Sequence, residues 1–186
     1  GLPLHVFEDR YRELMDDVMA ADRRFGIVMI DRGSEVGGGD DRSDIGVIVE
    51  VADADQLDDG RWVLLAVGVG RVEVVEWLPD DPYPRAVVEE LDETTSSDPV
   101  ESADEIQGRV RRIAGLLTEL EEPAPEITVE LDADPAIASW QAVAVTPIGA
   151  FDTQRLLEMD DTDRRIAATV DALAAAEELL QLRISS

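Results

Sequence analysis

His5 is the only histidine in this chain of 186 residues, so no other side chain has an ordinary pKa near neutrality. As a general base it needs an oriented partner, and no serine–carboxylate pair of recognisable spacing accompanies it. A structural place where an extended run turns into a helix is the simpler reading. Gly37, Gly38 and Gly39 could cradle an anion with backbone amides. Two aspartates follow instead of the lysine and serine or threonine of a phosphate loop, so a polar loop is expected there. Asp53, Asp55, Asp58 and Asp59 are dense enough to suggest calcium. Their spacing misses the D-x-[DN]-x-[DN]-G pattern and no glutamate stands at the twelfth position, which leaves an acidic turn. Trp62, Trp77, Leu78, Tyr83 and Pro84 are of another kind. Trp77-Leu78 and Tyr83-Pro84 flank one turn, and an aromatic–proline rim could grip an extended peptide. Ordinary packing at strand ends would use the same residues.

The missing residue types exclude more than the present ones suggest. All sixteen basic residues are arginine. Without lysine there is no P-loop, no Ser–Lys dyad and no Schiff base in this chain. Without cysteine there is no disulfide framework, thiolate metal site or thiol nucleophile. The 43 carboxylates against 16 arginines give a formal charge of −27, which opposes a phosphate backbone or an anionic membrane. A solvated acidic surface explains that charge without any partner. No apolar run reaches the roughly 18 residues of a membrane helix, no leader is visible, and a cytoplasmic location is expected. The 45% hydrophobic content supports a real core.

Residues 9–22 carry Tyr11, Leu14, Met15, Val18 and Met19 at helical spacing, with Phe7 one turn earlier and Gly26 as the expected stop. Runs 25–30, 45–51, 62–67, 69–78 and 85–91 read as strands, with Asp59-Gly60 and residues 79–84 as turns. Gly68 and Gly70 mark a bulge or close backbone approach. The texture changes at residues 92–100, a linker by composition. Ser102 and Glu105 make a capping-box pattern ahead of Ile106, Val110, Ile113, Leu117 and Leu120. Asp134-Pro135 starts a helix bearing Ile137, Trp140 and Ala144. Residues 152–159 form a short helix, and about 161–183 a last one with Ile166, Val170, Leu173, Leu180 and Ile184 near one face. Strands first and helices second argue an α+β class.

The ordered series of segments resembles a known family. L-P-L-H-V-F-E-D-R-Y-R at 2–12 is similar to the opening of the LON substrate-binding domain, the amino-terminal domain of ATP-dependent Lon proteases, also found alone in bacteria. Residues 22–30 and 45–51 resemble the family's next two steps. Leu57, Asp59, Gly60, Leu64 or Leu65, Val67, Gly68 or Gly70, and Arg71 follow its hairpin pattern. Residues 146–159 are similar to its short helix ending in L-L-E, and 160–182 to its last helix. The family also carries one more strand ahead of the point at which Gly1 stands.

This resemblance implies an N-terminal PUA-like β pseudo-barrel with an embedded helix over residues 1–91, a linker at 92–100 and a helical bundle over 101–186. It implies a non-enzymatic module, with no cofactor or metal, that binds unfolded or extended polypeptide and works with a protease supplied in trans. A small-molecule or nucleotide-binding regulatory domain built on the same barrel is the alternative. Neither nucleic acid nor membrane is an expected partner.

Overall fold

A computed structural model describes residues 1–32, 41–93, 99–126 and 128–185. Gly37–Gly39 lie outside them. The chain divides into two compact units, Gly1–Asp92 and Glu93–Ser186.

The first unit is one antiparallel sheet with a helix on it. Its strands are β1 (Leu2–Val6), β2 (Arg24–Arg32), β3 (Asp41–Gln56), β4 (Trp62–Leu78) and β5 (Arg85–Leu91). The order is β1-β4-β3-β2, with β5 also on β4. β1 takes residues 62–66 of β4 and β5 takes 71–78, so the two lie along one edge of the same long strand. Among the described residues no pairing joins β2 to β1 or β5, so the sheet is open and not a closed barrel. Two strands expected at 62–67 and 69–78 are one. Gly68 and Gly70 do not break it; the register slips around Val69, where Ile48 faces Gly70 and Val49 faces Gly68. An extra residue of this kind bends a strand and increases its twist without ending it.

α1 (Asp9–Ala20) buries Met15 and Val18 against Val49, Val51, Leu64 and Ala66, with Leu14, Met19 and Trp62 around them. The heptad-like stripe of the sequence is the face that enters this core. Phe7 does not extend it: it precedes the N-cap Glu8 and is 66% exposed. Gly26 is not the stop either. Arg23 takes the left-handed turn, φ 64°, and its N–H donates to Val18 O at 3.0 Å. That bond satisfies a terminal carbonyl the helix leaves open. The expected turn at Asp59-Gly60 is present. Gly60 has φ 83°, which glycine adopts without a Cβ penalty.

The second unit is helical: α2 (Pro99–Glu119), α3 (Pro135–Val145), α4 (Ala150–Leu157) and α5 (Thr162–Ile184). Ile106, Val110, Ile113 and Leu117 of α2 meet Ala138 and Ala142 of α3 and Ile166, Leu173 and Leu180 of α5. α2 begins at Pro99, so Ser102 lies inside the helix and not at its cap. Proline is suited to a first helical turn, where its missing N–H costs nothing. Asp134 does cap α3, accepting from Ala136 N at 2.8 Å. The face α3 buries is Ala136, Ala138, Ser139 and Ala142, whereas Ile137 is 46% exposed. Small side chains let α3 approach its neighbours closely, which decides the face against the larger residues.

Arg165 on α5 is fully buried. Its guanidinium lies 4.5 Å from the Trp140 ring centroid and pairs with Glu93. Such a charge is tolerable only where partners replace its water. Gln107 clasps the segment ahead of α3, donating to Val129 O at 3.0 Å and accepting from Leu131 N at 2.8 Å.

Candidate polypeptide-binding site

Four of the five residues expected to hold a peptide come together and one does not. Trp77 and Leu78 end β4, and Tyr83 and Pro84 precede β5, so all four surround the turn at 79–84. Trp62 opens the same strand at its other end, where it faces Val6 of β1 and Gln56 of β3. It packs against the first unit's core, and its indole Nε1 is buried with no acceptor among the described residues.

The turn is held by its own neighbours. The Arg42 guanidinium stacks over the Trp77 ring at 4.7 Å and reaches Asp80 at 4.0 Å. Tyr83 donates its hydroxyl proton to Asp17 Oδ2 of α1 at 2.7 Å. That bond to a carboxylate, with some burial, raises the Tyr83 pKa above its ordinary 10.0. Asp81-Pro82 is a cis peptide, and Arg85 comes within 3.8 Å of Asp81. The rim is thus half-buried and braced.

The other candidates separate as well. His5 stands on β1 opposite Val63, and its exposed side chain makes no hydrogen bond among the described residues. Asp53 and Asp55 lie along β3, while Asp59 closes its turn on Arg61, Nε to Oδ2 2.7 Å. The Arg61 N–H, donating to the same carboxylate, is the leading cause that lowers the Asp59 pKa. A hollow lined by Asp9, Arg12, Glu13, Asp16, Gln56 and Gly60 is acidic but already holds a cation. Arg12 donates there to Asp9 Oδ1 at 2.5 Å and to Asp59 O at 3.1 Å.

One surface was not singled out by its sequence. Val75 of β4 is 56% exposed and Val87 of β5 46%, on the solvent side of the β4–β5 ladder. Glu73, Glu76 and Glu89 stand among them, all exposed, while Glu90, opposite buried Val72, faces the other side. Glu73 lies directly opposite Glu89, and a register shift between Val74 and Glu76 brings Val87 beside Glu76. The V-E-V-V-E and V-V-E-E runs were the available signal. Which residues share a face, however, depends on that shift.

Comparison with known proteins agrees with this fold. A Lon N-terminal domain protein from Xanthomonas campestris superposes with a TM-score of 0.61 at 24% identity, over 89% of this chain and 85% of that one. The N-terminal domain of a Mycobacterium avium complex Lon protease gives 0.61 at 16% identity, over 94% and 90%. In sequence, a Lon protease of Trichlorobacter lovleyi is 25% identical over 98% of this chain and 23% of its own length. A LON peptidase N-terminal domain and RING finger protein of Schizosaccharomyces pombe is 23% identical over 98% of this chain and 44% of its own. The chain thus spans under half the length of these curated relatives, and no helix among its described residues is long and apolar enough to cross a membrane. Residues 2–175 match the family model of the ATP-dependent protease La (LON) substrate-binding domain, and the chain belongs to that family.

Proposed function

We propose that this chain is a polypeptide-binding module that holds exposed hydrophobic or extended segments and presents them to a protease supplied in trans. The observation that carries the reading is the substrate-binding family match across residues 2–175. The open sheet supports it. A sheet with uncovered edges can accept an extended chain through backbone pairing, with side-chain pockets adding selectivity. The relatives' names place the domain beside a protease in one case and a RING finger in another, which suits a recognition part used with different effectors. No step of hydrolysis is assigned to these residues. In this reading Trp77, Leu78, Tyr83 and Pro84 supply an aromatic contact at the β4–β5 turn, and Trp62 serves the core.

The test is direct binding of unfolded model polypeptides, acidic casein and an uncharged chain among them, at micromolar protein and several salt concentrations. Saturable binding that a native globular control lacks is the expected result. No binding of any unfolded chain at any salt would sink the reading. Trp77→Ala should weaken binding a few-fold if the turn takes part.

A further inference from the structure

β5 is an edge strand: it pairs with β4 on one side and with nothing on the other among the described residues. Exposed edges of this kind are templates for a further strand. This one is neither short of apolar surface nor neutral. On the solvent side Val87 sits beside Glu76, with exposed Val75 next to it, and Glu89 lies directly across from Glu73.

Like charges directly opposite on neighbouring strands destabilise the pair. No described residue of the unit relieves this. Glu73, Glu76, Glu89 and Glu90 join no ion pair among the described residues. The two arginines that flank the surface are engaged elsewhere. Arg85 meets Asp81 at 3.8 Å, and Arg71 is 4% exposed and already partnered. Among the described residues the ladder therefore has an apolar centre, an unpaired backbone edge and carboxylates that no cation neutralises.

We propose that this edge docks a basic extended segment as an added strand. The segment carries arginine or lysine at every second position, on the face that holds Glu89, Glu73 and Glu76, and the aliphatic stems of those side chains cover Val87 and Val75. A second copy of this chain is excluded by the same charges, since it would bring its own carboxylate row. The assignment rests on the polypeptide-binding reading and narrows it to one strand edge and one class of client.

The experiment compares two labelled peptides of equal length, alternating valine with arginine or valine with glutamate, by fluorescence anisotropy against the full chain. The arginine peptide should bind, more weakly as salt rises, and the glutamate peptide should not. Glu73→Gln/Glu89→Gln should bind the arginine peptide about fivefold more weakly, in keeping with exposed ion pairs. Both positions are exposed, so the variant should fold, and its melting temperature should not fall. Hydrogen exchange should slow at the β5 amides 85–91 when the arginine peptide is added. Equal affinity for both peptides, an unchanged affinity in the variant, or no slowing on β5 would each overturn the assignment. If uncharged unfolded chains still bind wild type and variant alike, only this edge is refuted and the polypeptide-binding reading stands. If no polypeptide binds, both fall.

Discussion

Tyr83 is where a single hydrogen bond ties the β4–β5 turn to α1. The hydroxyl donates to Asp17, and the bond requires a protonated phenol, so the folded state holds the Tyr83 pKa above 10.0. A phenol whose folded pKa is raised contributes its full stability below its unfolded value. That contribution is lost as pH rises through the higher folded value. Tyr83→Phe should therefore lower stability at neutral pH by about 1 kcal/mol, the usual net worth of one such bond. The difference between the two proteins should narrow above pH 10.0. Urea denaturation at the two pH values measures it, with tyrosinate absorbance locating the ionisation. A difference that stays constant across the alkaline range would show that the hydroxyl acts by packing alone. The stacking of Arg42 on Trp77 belongs to the same bracing, and both contacts cover residues that composition alone leaves looking available.

At the scale of elements, two glycines on neighbouring strands behave oppositely although the sequence presents them alike. A Cβ on Gly46 would stand 2.5 Å from Ile27 O and 2.7 Å from Val28 Cγ1. The oxygen belongs to the backbone that pairs β2 with β3, so it cannot swing aside. Gly46→Ala should cost about 2–3 kcal/mol. A Cβ on Gly70 meets nothing within 4 Å, so Gly70→Ala should be close to neutral. Comparison of urea midpoints at constant m-value decides this, and equal midpoints for both variants would refute the close β2–β3 approach. The cap of α3 offers a second measurement. Asp134→Ala removes the acceptor for Ala136 N and should cost about 1 kcal/mol, whereas Asp134→Asn should keep most of it. What the sequence revealed divides along the same line. Asp134-Pro135 and Asp59-Gly60 were legible because cap and turn chemistry is local. The α1 stripe was legible because its period is local too. The arrest of α1 at Arg23, the continuity of β4 and the small-residue face of α3 were not, because each is settled by what packs against the element. The Glu73–Glu89 juxtaposition was least legible of all. It exists only once the slip between Val74 and Glu76 has fixed the register of β4 on β5.

For the whole molecule, charge sets the sign of the response to salt. With 43 carboxylates and 16 arginines, one-to-one pairing would leave 27 carboxylates without a cation. The ion pairs that do form at the surface, such as Arg24–Glu50, are about half exposed and contribute roughly 0–1 kcal/mol apiece. Salt weakens these attractions, but it also screens every carboxylate pair beyond about 10 Å at 0.1 M. The repulsive pairs outnumber the attractive ones, so screening should win. Melting temperature should rise by several degrees between low salt and about 1 M sodium chloride, since a domain of this size gains about 2–4 °C per kcal/mol. Chloride is the necessary choice, because sulfate strengthens apolar burial by itself and would raise the temperature for another reason. The gain should shrink as pH falls into the ordinary carboxylate range near 4, where the repelling groups lose their charge. A melting temperature that is flat or falls with sodium chloride would mean that local pairs outweigh the net charge. The same screening works against a basic client on β5. Stability and client affinity should move in opposite directions along one salt titration, and a neutral client should not share that opposition.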